Sequence, residues 1–496
     1  MAHGYRSGGR DQLFLLPPSM WDWLDEDHLA FFVIDAIELM DTSSFDAAHP
    51  EGPGAPAYDP KAMLGILIYA YATGVRSSRV IERGCRSDLA YRVIAANLCP
   101  DHRTIARFRA ENEAAIMDVF TEVLKLCRAA GLASLGQIAI DGTKIGSDAA
   151  LDQNRDADWI RREIEEILAE AGVADTGEDA TAQLFDAPLP VQLRSRSGRL
   201  FRLRAALAEV EAQEQAARNE QEERNEKAKV QAEAGRKLRG RKPKDPHAAM
   251  ARARSDLAAT RMRAGAEPER ADLQAALDEA CHRLAVAEQA ASVARAPRFT
   301  ANVTDPESRI MKTQTGWVQG FNLQAAVNAD QVVVAYAATQ DHNDVAQLIP
   351  LEEATLASAE AAGIEEKIGR SLSDAGYWSE ENATAPGPDR LIATTKDWKQ
   401  RRAARELGET FGPPPEDASP LDAMEHRLRT SEGAAAYATR SHTVEPVFGD
   451  TKENRGFRRF MRRGLAAADS EAGLIFAVHN LLKIYHHNPS VVFSPS

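Results

Sequence analysis

Apolar positions recur every three to four residues through much of the first 130 residues. Over 12–41 the rhythm is carried by Trp21, Trp23, Leu24, Leu29, Phe32, Val33 and Ile37, which predicts a helix. A Gly/Pro/Ala segment at 51–57 breaks the pattern. Asp59-Pro60 then sets a capping acid and a first-turn proline ahead of Met63, Leu64, Leu67 and Ile68, the stripe of a second helix. Ser77 and Ser87 stand where caps of two further short helices are expected, and Pro100-Asp101 opens a longer one running to about Ala130, with Gly131 as its stop. From Gln137 the texture changes to short β-prone runs: QIAID at 137–141, FNLQAAVNA at 321–329, VVVAYAAT at 332–339, IGRSLSD at 368–374 and RLIATT at 390–395. A helical stretch at 344–362, headed by Asn343 or Asp344, falls between the third and fourth runs. That order predicts a mixed α/β sheet flanked by helices.

The first and second strands are separated by a long segment rich in Ala, Glu, Arg and Gln. Trp159, Ile160, Ile164, Ile167 and Leu168 mark one helix in it. Leu200, Leu203, Leu207 and Val210 mark a second, and Leu273, Leu277, Ala280 and Leu284 a third. This reads as a coiled-coil-like arm with a polar loop near 235–247 and a break at Pro268, serving dimerisation, DNA handling or both. The stretch 213–233 lacks an apolar stripe and is expected to face solvent. Three regions result: a helical N-terminal region 1–130, a sheet-bearing region made of 131–150 and 296–486, and a helical insertion 151–295.

Charge changes this picture in one respect. The net charge of −14 opposes a polyanionic partner, but the basic residues are segregated. Arg76 to Arg109 contains eight arginines against three acids, Lys452 to Arg463 six basic residues against one, and Arg236 to Lys244 six with none. Three basic segments are thus available to phosphate. In HRTIARFR, 102–109, Ile105 and Phe108 are expected to face a core while Arg103, Arg107 and Arg109 face outward, as in a helix that reads DNA. The four cysteines form no CxxC pair, which argues against a zinc knuckle or disulfide framework. No apolar run has the length of a membrane span, and the N-terminus lacks a signal-peptide core, so a cytoplasmic protein is expected.

The candidate chemistry lies at strand ends. Hard divalent ions such as Mg2+ take carboxylate oxygens, and a sheet fixes where strand-end carboxylates stand. Asp141 closes the first β run and Asp374 the fourth. Among 74 Asp and Glu residues chance candidates abound, and Asp148, Asp330, Asp341, Asp344 and Asp450 are rivals. Asp344 reads as a helix cap, so Asp344→Asn is expected to be silent, and Asp330 reads as a turn residue. Glu445 and Lys452 are seven residues apart, two helical turns, and can share a face. Tyr377 and Trp378, just after Asp374, are candidates for stacking on an unpaired base or for the core.

The segment YATRSHTVEPVFGDTKENRGFRRFMRRG at 437–464, continued by EAGLIFAVHNLLK at 471–483, resembles the signature of bacterial insertion-sequence transposases of the DDE type. AIDGTKI, NVTDPESRIMKTQTGWVQGFNLQAAV and the opening DQLFLLPPSMWDWL add to the resemblance. It implies a ribonuclease-H-like catalytic domain and Asp141, Asp374 and Glu445 as metal ligands, with Mg2+ (or Mn2+) as the ion. It also implies supporting roles for Tyr437, Arg440 and Lys452, although four residues here separate Arg440 from Glu445 where many relatives have three. The partners implied are double-stranded DNA, as terminal inverted repeats and target, and a second copy of the chain in the active complex. Arg103, Arg107, Arg109, Lys452, Arg458 and Arg459 are the candidate DNA contacts. A metal-dependent nuclease on the same fold would share the acids without joining strands.

Overall fold

A computed structural model describes residues 19–46, 57–178, 191–234, 246–267, 270–293, 298–313, 315–396 and 398–487. The basic run 236–244 and the break at Pro268 lie outside them. The chain divides into two compact units, Met1–Leu151 with Ser308–Ser496, and Asp152–Glu307.

The first unit is built on a mixed sheet. Strand β1 (Gln137–Gly146) pairs antiparallel with the long β3 (Gly316–Asn328), which also pairs with β2 (Arg309–Thr313) and with β4 (Val333–Thr339). On its second side β1 runs parallel to β5 (Arg370–Ser373), which runs parallel to β6 (Asp389–Ile392). The five apolar runs all become strands. The additional strand β2, RIMKT, mixes Arg309, Lys312 and Thr313 with Ile310 and the buried Met311 and has no counterpart among the expected strands; it pairs with Trp317 and Val318, Thr313 standing opposite Gly316. The helix Leu348–Ala361 packs on β3 and β4, and the long helix Leu465–His487 packs on β4. In that last helix Asn480 hydrogen-bonds both the Val333 N–H and the Val333 carbonyl, so a buried amide completes the sheet edge.

The N-terminal helices share this core. Helices Pro60–Ala72 and Glu113–Ala129 pack against Leu465–His487, and Phe120 meets Tyr336 of β4 edge-on. Asp59 caps the first of these through the Lys61 N–H at 2.9 Å, worth about 1 kcal/mol. Three local expectations need correction. The stretch 12–41 is not one helix among its described residues but a 3-10 turn, Met20–Trp23, and a helix, Leu29–Glu38, restarted by a His28 cap. The helix expected over 101–130 is two, His102–Glu111 and Glu113–Ala129, broken where the Asn112 side chain turns back onto the Phe108 carbonyl; Gly131, at φ +74°, ends the second as expected. Asp88, not Ser87, caps the helix Leu89–Ile94.

One buried ion pair ties the sheet to its covering helix. Arg390 on β6 meets Glu352 of the 348–361 helix through Nη2 at 2.6 Å, and both are almost wholly buried. Arg390→Met should cost about 3–5 kcal/mol because it strands the Glu352 charge, whereas Arg390→Met with Glu352→Leu should recover most of the loss. Urea unfolding of the two variants tests this; equal losses would mean that the pair does not act as a unit.

The second unit is helical: Ala157–Glu178, Val191–Glu233, Pro246–Ala266 and Ala271–Val293, closed at its base by a two-residue ladder of Asn154–Arg155 with Ala301–Asn302. Ile160, Leu203, Ala206 and Val210 form its small core. Among the described residues four helices stand where three were expected, because Pro246–Ala266 packs through small residues such as Ala259 and Ala264 and shows no bulky stripe. As expected, 213–233 is largely exposed.

Candidate active site

β1 carries the first acid. Ile140 pairs with Ser373, so Asp141 and Asp374 stand side by side where β5 ends and β1 runs on. Strand alternation splits the residues that follow between two faces. Asp141 and Thr143 meet the C-terminal segment; Gly142 and Lys144 lie against Asp344.

On the first face Arg440 is the hub. Its Nη2 bonds Asp141 Oδ2 at 2.9 Å and its Nη1 reaches Glu445 Oε1 at 3.5 Å. Arg440 is buried, and its Nε has no partner. The fourth residue between Arg440 and Glu445 is absorbed at Val444, where the short helix Arg440–Thr443 gives way to Glu445–Gly449. A single π-helical turn, Asp450–Asn454, follows, and Lys452 from it bonds Thr143 Oγ1. Burial lowers the Lys452 ammonium pKa, with the Arg458 charge adding to the effect and Asp141 opposing it. Tyr437 is half-buried beside Arg440. Thus Asp141, Asp374, Arg440, Glu445 and Lys452 gather in one place, although Arg440 and Asp141 are 299 positions apart.

Burial raises the Asp141 carboxyl pKa to about 6; Asp374 and Asp344 push the same way, while Arg440 opposes them. A buried carboxylate beside two others calls for a cation. The donor set is all carboxylate oxygen, which fits a hard divalent ion. Among the described residues, however, no three acidic, His or Cys side chains converge closely enough to hold a metal in this arrangement. Arg440 stands between Asp141 and Glu445, whose side chain is 60% exposed.

The remaining candidates divide. Arg103 and Arg107 face outward as expected, Arg107 in a loose pair with Glu111. Arg109 does not: it is buried, donating to the Tyr71 hydroxyl at 3.1 Å, the Arg76 carbonyl at 3.0 Å and Ser78 Oγ. Two residues of helix turn it about 200° from Arg107, and it closes the crevice beside the buried Glu471. Arg458 and Arg459 are exposed and paired with Glu453 and Asp148. Their segment is held to β1, since the Phe460 N–H bonds the Gly146 carbonyl at 2.7 Å, and Arg76 grips it from the Gly456 and Arg459 carbonyls. Tyr377 is fully buried with its hydroxyl on Gln324, so it is core and not a stacking platform. Asp148 and Asp450 are occupied by arginines, and Asp330 lies in the β3–β4 turn.

Asp344 departs most from expectation. It makes no capping bond; its side chain turns to the Gly142–Lys144 face of β1, where Oδ1 accepts from Asn322 at 2.8 Å, Gln324 at 2.9 Å and Lys144 at 3.2 Å. Lys396, just past β6, also lies near Asp344 and Asp374, around the Gly376 turn. The sequence signal for both was slight: Asn322 and Gln324 are polar residues two apart within an otherwise apolar strand.

Residues 19–111 match the family Transposase domain (DUF772), and residues 414–485 match the family Transposase DDE domain. No curated protein and no solved structure matches the chain. The two family matches lie toward opposite ends of the chain, and together they support an insertion-sequence DDE transposase. The second match spans Tyr437, Arg440, Glu445 and Lys452; Asp141, Asp344 and Asp374 lie outside both. No helix among the described residues is long and apolar enough to cross a membrane.

Proposed function

We propose that the chain is the working transposase of an insertion sequence, acting on nucleoid DNA in a bacterial cytoplasm. It binds the element's terminal inverted repeats as a homodimer, cuts the phosphodiester at each end and joins the freed 3′-hydroxyl to target DNA. The observation that carries this reading is the Arg440 bridge between Asp141 and Glu445, with Lys452 on the same face of β1. The mixed strand order with helices packed on it supports a ribonuclease-H-like catalytic domain.

Asp141, Asp374 and Glu445 hold the divalent ion, Mg2+ or Mn2+. Such an ion, when bound, activates the attacking oxygen and offsets charge on the leaving one. Arg440 keeps Asp141 and Glu445 oriented. Lys452 exchanges Thr143 for a phosphate oxygen. Arg458 and Arg459 give up exposed ion pairs worth at most about 1 kcal/mol each to meet the backbone at the rim. Arg103 and Arg107 contact the repeat.

The test uses the full chain, labelled DNA ending in the repeats that flank its gene, and Mg2+. Nicking at the repeat end followed by joining to unlabelled target DNA is expected. Nicking without joining would make the protein a nuclease, and specific binding without nicking a repressor.

A further inference from the structure

On the face of β1 turned away from Arg440, the sheet register builds a receptor for one carboxylate. Gln324 is the partner of Gly142, and Asn322 the partner of Lys144, so two amides, an ammonium and a bare backbone position share one patch. Asn322 and Gln324 are wholly buried. Buried amides are costly unless their bonds are made, and here both spend an N–H on Asp344 Oδ1. Tyr377 fixes the Gln324 amide by donating to its oxygen. The Asn322 oxygen is left buried without a partner, so its amide is turned toward Asp344 at a cost. The glycines complete the receptor. A Cβ on Gly142 would fall 2.8 Å from Asp344 Oδ1, so a side chain there would displace the acid.

With Oδ1 held by three donors, Oδ2 is the oxygen left to act. It faces the Gly376 turn, where a Cβ would lie 3.3 Å from Asp344 Oδ2 and 2.8 Å from Asp374 Oδ1. The two carboxylates and the Lys396 ammonium, whose Nζ would lie 3.3 Å from the same Cβ, therefore border one small space that a glycine keeps open, with Asp374 Oδ1 also accepting from the Gly376 N–H at 2.6 Å. We propose that Asp344 is a fourth carboxylate of the active site, acting with Asp374 on the divalent cation, and that Asn322, Gln324 and Lys144 are positioning residues that fix it. This rests on the reading of Asp141, Asp374 and Glu445 as the metal site. It reverses the expectation that Asp344→Asn is silent.

The test measures Mn2+ binding by titration calorimetry on full-length wild type, Asp344→Asn, Asp374→Asn and Asp141→Asn, with thermal melting and binding of repeat-end DNA as controls. Asp344→Asn should bind Mn2+ on the order of 10–100-fold more weakly and lose Mg2+-dependent nicking, with DNA binding kept. Asp344→Glu should not rescue either property, because the receptor is sized for the shorter acid. Wild-type Mn2+ affinity in Asp344→Asn beside lost affinity in Asp374→Asn would overturn the proposal and leave the metal site standing. Undiminished affinity in Asp374→Asn and Asp141→Asn would instead overturn the metal site itself. Should Asp344→Asn melt early, the unmodified protein decides. Mn2+ should protect Asp344, together with Asp374, from carbodiimide coupling to glycine amide, read by peptide mass spectrometry. Labelling of Asp344 unchanged by Mn2+ while Asp374 is protected would overturn the proposal.

Discussion

Asp141→Asn, Asp374→Asn and Glu445→Gln are each expected to reduce Mg2+-dependent nicking of repeat-end DNA by on the order of 10³-fold or more. An amide keeps the shape of the acid and removes the charge that holds a cation. Repeat-end binding should stay within about twofold, because it rests on basic side chains elsewhere and loses only repulsion from phosphate. The three losses should differ in their side effects. Asp141 is half-buried against the buried Arg440, so its amide leaves that guanidinium short of a partner and lowers the melting temperature as well. Glu445 is 60% exposed, and its loss should leave stability unchanged. Nicking that persists in Glu445→Gln but vanishes in Asp450→Asn would move the third acid by about one helical turn and end the assignment of Glu445.

The strands and most N-terminal helices were legible because each is a local pattern: a short apolar run, or a capped stripe at helical spacing. What the pattern missed was decided by tertiary packing. Arg107 and Arg109 differ by only two positions, but about 200° of helix puts one in solvent and the other over the crevice of Tyr71 and Ser78. Periodicity alone places arginines anywhere that is not plainly apolar, so a buried arginine is hidden from it. The break at Asn112 is likewise a side-chain choice, an amide taking the Phe108 carbonyl, within a sequence that otherwise continues as helix.

The site divides on the same line. Asp374 follows a recognisable strand and Asp141 lies in the middle of one, which runs on to Gly146, and the resemblance carried Glu445, Arg440 and Lys452. Asp344 stands at the start of a helix, where an acid has an ordinary use as a cap. Only the register of β1 on β3, which pairs Gly142 with Gln324 and Lys144 with Asn322, brings the two amides and the ammonium around it. No local reading could separate a cap from a carboxylate held by another strand.

Arg109→Met is expected to destabilise the chain by about 3–5 kcal/mol, a fall in melting temperature on the order of 10 °C, without itself defining DNA specificity. The guanidinium satisfies the Tyr71 hydroxyl, the Arg76 carbonyl and Ser78, and with Arg76 and Arg462 it offsets the fully buried Glu471, whose carboxyl pKa burial raises. Removing it leaves that carboxylate with less compensation and loosens Arg76, which grips the segment bearing Arg458 and Arg459. Methionine keeps the apolar volume, so the loss reports charge and hydrogen bonds, not a cavity. Arg103→Ala with Arg107→Ala should do the reverse. Both side chains are exposed, so the melting temperature should hold to within about 2 °C. Affinity for the repeats should drop, and the dependence of log K on log salt should become shallower by about one for each phosphate that no longer meets an arginine. Melting curves and salt-series binding on the two variants decide between these roles. A stable Arg109→Met protein that no longer distinguishes repeat from random DNA would show that Arg109 leaves its crevice to read the DNA, and would return it to the recognition surface.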